Sequence, residues 1–217
     1  MKINKIFNSI YHLKFKTQYN LCSTFLRFQE HYESPEFRGK IFTLKQYKNW
    51  YIKNSPGGKK TGKFTYYKDW SGFNIPSNIF DLFLKGKFNP LSNKEKKFID
   101  IIQDIKEKNF YIIGTFGKND TSTLKHEIAH GLFYTEKSYR EKVITIINSL
   151  CKTDTEKIIN YFKNSTGYHC EIFNDELNSY ILCDLDLLNK KGIYSENLIE
   201  KQKELQKEFE NTTKGFL

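Results

Sequence analysis

The segment His126–His130, written HEIAH within TLKHEIAHGLFY, constrains this chain more than any other stretch. Residues four apart on an α-helix share a face, so a helix here turns His126 and His130 toward one point. Glu127 stands one step round, within reach of a water held at that point. Neutral imidazoles are good zinc ligands, zinc makes its bound water acidic enough to attack near pH 7, and a neighbouring carboxylate takes the proton. The pattern therefore asks for a helix and for a cleft into which it points. The bland alternative is a solvated helix face with two unrelated histidines. With only 5 His in 217 residues, the spacing argues against it.

The flanking sequence supplies that helix. Asn119, Asp120, Thr121 and Ser122 are a run of N-cap residue types directly before it. Leu124, Ile128 and Leu132 repeat every four residues as an apolar stripe, and the two histidines lie off that stripe. Ala129 and Gly131 are small enough to let a backbone or a substrate come close. Upstream, Phe110–Phe116 (FYIIGTF) is aromatic and β-branched, ends in a Gly-Lys-Asn-Asp turn, and reads as a strand. Its edge could pair with an extended peptide while the helix holds a metal. It could equally be a core strand.

Strand, turn and then HEIAH on a helix resembles the zincin metallopeptidases, over roughly residues 110–187. The ligand pattern is similar to the gluzincin branch, in which a later glutamate completes the site. The metzincin pattern is absent, because Phe133 and Glu136 stand where its Gly and third His would be. A catalytic zinc has three protein ligands and one open position. Candidates for the third are His169, Glu171, Asp175 and Glu176. The stretch from Asn174 reads as a helix, with Asn174 or Asp175 as cap and Leu177, Ile181 and Leu185 as its ridge. Asp175-Glu176-Leu177-Asn178-Ser179 resembles the Asn-Glu-x-x-Ser run of thermolysin-like enzymes, which implies Glu176 on the metal. Tyr180 then occupies the place where that family carries an Asp that orients a ligand histidine, and reaches the metal or its surroundings through its hydroxyl. A competing register uses Glu171 with Asp175. Each of these carboxylates is otherwise an ordinary acidic residue near a helix start, and His169 a turn or core histidine.

Composition bounds the rest. A chain of 217 residues that is 38% hydrophobic can bury a core as one domain, here 1–217, in which residues 1–105 form an N-terminal portion rich in aromatics and residues 106–217 a metal-binding portion. Charged residues at 28% do not make a disordered composition. No apolar run approaches the length of a membrane span. The N-terminus lacks the pattern of a signal peptide, and Cys22, Cys151, Cys170 and Cys183 form no C-x-x-C, so a reducing, cytoplasmic setting is expected, secretion of a host-directed effector aside. The net charge of +10 suits acidic partners, yet no nucleic-acid-binding motif accompanies it, so a lysine-rich surface is the simpler reading.

Along the chain, residues 1–33 read as helical, with Ile6, Ile10, Leu13 and Phe15, then Leu21, Phe25 and Phe28. Pro35–Gly39 breaks that pattern. Thr43–Lys53 reads as a short helix and Asn54–Gly62 as a loop. Phe64–Phe80 packs six aromatics into 17 residues, as core filling under an irregular segment or as a wall that grips a substrate. Pro90–Lys108 is a helix opened by a Ser92/Glu95 capping box, with Phe98, Ile102 and Ile105 inward. Glu136–Leu150 and Thr153–Phe162 read as helices, the second ended by Asn164 and Gly167, and Ser195–Thr212 as a surface helix with Leu198, Leu205 and Phe209 inward. The expected class is α+β, a helix-dominated zincin-like fold with a small sheet beside the metal helix. Strands are expected near Phe37–Thr43 and Phe64–Tyr67 besides the one before the motif.

Two functions follow. In one, a Zn2+-dependent peptidase acts on a protein or peptide substrate: His126, His130 and Glu176 hold the metal and Glu127 is general base, then proton donor. In the other, a zincin-fold binding or effector protein contacts other macromolecules through its basic face. A structural zinc site has no use for Glu127, so the intact motif favours the enzyme. A narrower version acts on proteins bound to nucleic acid.

Overall fold

In the computed structural model, which describes residues 2–117, 121–166 and 168–215, the chain opens on a β-hairpin rather than a helix. Lys2–Phe7 (β1) and Ile10–Phe15 (β2) pair antiparallel about Asn8-Ser9. The expected helix over 1–33 shrinks to Gln18–Glu33 (α1), capped by Thr17, whose side chain accepts from the Asn20 N–H. The misreading has a simple cause. Ile10 and Leu13 are three apart, which on a helix means one face but on a strand means opposite faces. Both are fully buried, each in a different hydrophobic cluster.

Two more strands complete the sheet, Gly72–Pro76 (β3) and Tyr111–Phe116 (β4), in the order β1-β2-β4-β3. β2 and β4 run parallel; the other pairs are antiparallel. The strand before the motif is therefore interior, and β3 is the edge strand in its place. Neither Phe37–Thr43 nor Phe64–Tyr67 is a strand. The first runs through turns and irregular backbone and the second enters a 3-10 turn, Tyr66–Lys68. Their rings plug the core from irregular backbone: Phe37, Phe42 and Tyr66 are buried without strand alternation. Within Phe64–Phe80, Phe73 and Phe80 join the same core.

The remaining helices are Leu44–Asn54 (α2), Pro56–Thr61 (α3), Phe80–Leu84 (α4), Asn93–Gln103 (α5), Thr121–Thr135 (α6), Lys137–Asn148 (α7), Lys152–Tyr161 (α8), Phe173–Cys183 (α9), Leu185–Lys190 (α10) and Glu196–Thr213 (α11). With 64% of residues helical around a small mixed sheet, the class is α+β. Asn119 and Asp120, expected to cap α6, and Gly167, expected to end the segment after α8, lie outside the described residues. Capping boxes open α2 (Thr43 with Gln46) and α5 (Ser92 with Glu95). The expected loop at Asn54–Gly62 is instead α3. Ser55 caps it, Pro56 takes the first helical position, where its missing N–H costs nothing, and Gly62 ends it at φ 65°.

Successive residues of β4 point to opposite faces. Tyr111 and Ile113 face a cluster built with α6, α7, α9 and α11, whereas Ile112 faces the aromatic cluster built with α1 and α5. Gly114 lets α1 close on the sheet, since a Cβ there would lie 2.6 Å from the Phe25 ring. Buried Arg27 of α1 pairs with Glu95 Oε1 at 2.6 Å and Oε2 at 2.8 Å, tying α1 to the start of α5. Together these contacts place the C-terminal turns of α1 opposite the HEIAH helix. Among the described residues no helix is long and apolar enough to cross a membrane, and all four cysteines are free.

Candidate metal centre

α6 carries the motif along the wall of a cavity of about 430 Å³. Ile128 and Leu132 anchor it to the core, Leu124 packs partly buried beside them, and Gly131 sits so tightly on Ile10 that a Cβ would come within 2.8 Å of it. The smallness of Gly131 thus serves helix-to-sheet packing rather than substrate approach. His126, Glu127 and His130 line the cavity from the other side of the helix.

α9 brings the third group. His126, His130 and Glu176 each offer a ligand atom, and these atoms all lie within 4.8 Å of one another. The two Nε2 atoms are 3.1 Å apart, and Glu176 Oε1 is 3.9 Å from His130 Nε2. Each imidazole is oriented by a carboxylate on its far nitrogen. His126 Nδ1 donates to Asp184 Oδ2 at 2.5 Å. His130 Nδ1 lies 2.9 Å from Asp175 Oδ1, a contact of charge more than of hydrogen-bond alignment. A proton on Nδ1 leaves the Nε2 lone pair of each ring aimed at the common point. Glu176 Oε2 is buried without a hydrogen-bond partner. An orphaned carboxylate oxygen beside two converging imidazole lone pairs is the donor set a divalent cation satisfies.

The charges around the site also act on its protons. Burial raises the Glu176 pKa, against the pull of His130 and His126. For His130, burial acts to lower the pKa, but Asp175 and Glu176 outweigh it and the net shift is upward. Such a crowd of buried carboxyls and imidazoles is costly unless a cation enters it.

Glu127 is held separately. Asn74 Nδ2 of β3 donates to Glu127 Oε2 at 2.8 Å, and the Tyr111 hydroxyl donates to Asn74 Oδ1 at 2.6 Å. The tyrosine fixes which way the amide faces, so its NH2 points at the carboxylate. Gly72 lies directly against the same carboxylate.

The other sequence candidates fall elsewhere. Glu171 is exposed and pairs with Arg38 at 2.9 Å. His169 precedes the 3-10 turn Cys170–Ile172 and accepts from the Glu171 N–H at 3.3 Å. Ile172, not Asn174 or Asp175, sits at the N-cap of α9, which leaves Asp175 free to face His130. Tyr180 lines the cavity with its ring edge-on to His126 at 5.4 Å, its hydroxyl 3.4 Å from that of Tyr168.

Asp184, Asn74 and Tyr111 were not singled out by sequence. Asp184 had a signal: Glu176, Tyr180 and Asp184 are spaced by four, which would set all three on one face if the helix ran on; in the structure Asp184 is the residue that caps the C-terminus of α9. A scan against protein-family models found no match, and searches of curated proteins and of solved structures returned none either.

Proposed function

We propose that this chain is a zinc-dependent peptidase with a zincin-like fold, in which His126, His130 and Glu176 hold the metal and Glu127 is the general base. The observation that carries this reading is the convergence of two carboxylate-oriented imidazoles and an unpartnered buried carboxylate, with a second carboxylate held in place beside them.

When bound, zinc would acidify a water and polarise a peptide carbonyl. The rest is work for the chain. Asp184 holds the His126 imidazole in one tautomer and orientation, and Asp175 sets a negative charge against the far nitrogen of His130. Asn74 keeps the Glu127 carboxylate turned into the cavity, where it takes the proton of the attacking water and passes it to the leaving amine. The free edge of β3 offers backbone groups to an extended peptide running past Glu127. Tyr180, beside His126, is placed to donate to a substrate oxygen through its hydroxyl. A protein that only bound partners would have no need of the Tyr111–Asn74–Glu127 chain of hydrogen bonds.

Elemental analysis tests the reading. The purified chain should carry about one zinc, lost in His126→Ala and His130→Ala. Glu127→Gln should keep the zinc while turnover of a peptide library falls about 100-fold or more. Full metal occupancy in the histidine double mutant would end the zincin reading.

A further inference from the structure

The cavity continues past the metal centre along α1, and its chemistry there belongs to no step described above. Its carboxyl groups are Glu127, Glu176 and Asp184 at the metal centre and, beyond them, Glu33, Glu30 and Asp69. Among the described residues no lysine or arginine lines it, in a chain with 35 of them and a net charge of +10. Among the described residues none of Glu30, Glu33 and Asp69 has a salt-bridge partner.

Glu33 and Glu30 are both on α1, and Asp69 directly follows the 3-10 turn Tyr66–Lys68. Glu33 feels the charges of Glu176, His130 and Glu127. Glu30, about one helical turn back on α1, sits among the hydroxyls of Tyr66, Tyr47 and Ser34. Asp69 accepts from the Tyr51 hydroxyl and, at 3.2 Å, from Thr65. Trp50, Tyr51, Tyr66 and Trp70 line the same cavity.

An independent observation points to a ligand with donors. Gln29 is buried and lines the cavity; its Nε2 donates to Glu33, which fixes the amide's orientation, and its Oε1 has no partner. An acceptor left without a partner beside carboxyls that have no salt bridge, between aromatic faces, fits a group with several N–H donors and a positive charge. Burial also pushes the Glu30 pKa up to about 7, as expected of a carboxyl lacking a cation.

We propose that this end of the cavity is a subsite for a lysine or arginine side chain of the substrate, its cation held by Glu30 and Asp69 between the aromatic rings and its N–H groups reaching Gln29 Oε1. As a substrate specificity, this rests on the peptidase reading; as a binding site it does not.

The test has two arms. Direct binding of Nα-acetyl-arginine amide and Nα-acetyl-norleucine amide is measured by calorimetry on the full chain. The arginine compound should bind about 10-fold or more tightly than the norleucine one, and Glu30→Gln and Asp69→Asn should each remove most of that difference. In parallel, peptides that differ only in Arg, Lys or norleucine at one scanned position are compared by kcat/KM. The basic-over-neutral ratio should exceed about 10 in the native chain and fall toward unity in Glu30→Gln, zinc content unchanged. Equal binding of the two amides, or an unaltered preference in Glu30→Gln, overturns the subsite. Peptide cleavage without basic preference overturns it while the peptidase reading stands. Selective arginine binding without any cleavage does the reverse.

Discussion

Gly72→Ala is a one-methyl test of how Glu127 is placed. A Cβ on Gly72 would lie 2.3 Å from Glu127 Oε1 and 2.9 Å from Thr123 Cγ2, whereas ordinary contact begins near 3.4 Å. The carboxylate must therefore withdraw by roughly 1 Å, and a misplacement of that size in a reacting group costs on the order of 100-fold in rate. The backbone at Gly72 is ordinary strand, so alanine brings no strain there, and replacing glycine within a strand recovers about 0.5–1 kcal/mol. Against this stands the Asn74–Glu127 hydrogen bond, worth about 1.5–3 kcal/mol to a charged acceptor if it is lost outright. The net change in stability is a loss of roughly 1–2 kcal/mol.

The prediction is thus a folded, zinc-loaded protein with turnover down about 100-fold, read from thermal unfolding, metal content and peptide cleavage. A double-mutant cycle with Glu127→Gln isolates the cause, because Gly72→Ala should add almost nothing once the base is gone. Native turnover in Gly72→Ala would refute the placement argument. An undiminished further loss in the Glu127→Gln background would show that the methyl acts on the peptide path instead.

Zinc titration separates the two glutamates after the metal helix: Glu176→Gln should weaken binding by about 100-fold or more, and Glu171→Gln, exposed and paired with Arg38, should leave it nearly unchanged. Asp184→Asn should weaken zinc binding by about 10- to 100-fold through the His126 orientation it sets. Glu30 predicts a pH dependence of stability: its folded pKa is raised from 4.5 to about 7, so the stability it contributes is full below the unfolded value and is lost as pH rises through about 7. Denaturant titrations should show Glu30→Gln gaining on the native chain between pH 4.5 and 8 by at most roughly 3 kcal/mol; a pH-independent difference would contradict the burial of that carboxyl.

Where the sequence reading of the fold failed, it failed on period and partner. Ile6, Ile10 and Leu13 fit a helical spacing as well as they fit two strands joined at Asn8-Ser9, and short apolar runs do not separate these readings. Ser55-Pro56 and Gly62 are a helix start and stop, but Gly57 and Gly58 between them suggest a loop. Gly58 is there because α3 lies almost against α2, so that a Cβ on it would lie 2.2 Å from the Tyr51 carbonyl, while a Cβ on Gly57 would lie 2.4 Å from the Thr65 hydroxyl. The capping box at Ser92 was legible because every interaction that defines it falls within four residues.

The same distinction governs the site. His126, Glu127 and His130 are legible because helical spacing alone brings them together, and Glu176 and Tyr180 share a face of α9 for the same reason. Which turn of α9 meets α6 is not a local property. It is set by buried contacts such as Asn178 Nδ2 donating to the Ala129 carbonyl at 3.3 Å and Asn178 Oδ1 accepting from the Tyr139 hydroxyl at 3.0 Å. Groups from farther off are less legible still. Asn74 reaches Glu127 only because β3 pairs with β4 in the register that sets Asn74 opposite Ile113 and Ile75 opposite Ile112, a choice no spacing within either strand records. Glu30 and Glu33 read in sequence as polar residues near a helix end. They join the cavity lining because Gly114 lets α1 sit close on the sheet and Arg27 ties it to Glu95. A substitution at Gly114 should therefore disturb the acidic end of the cleft without touching any residue that lines it.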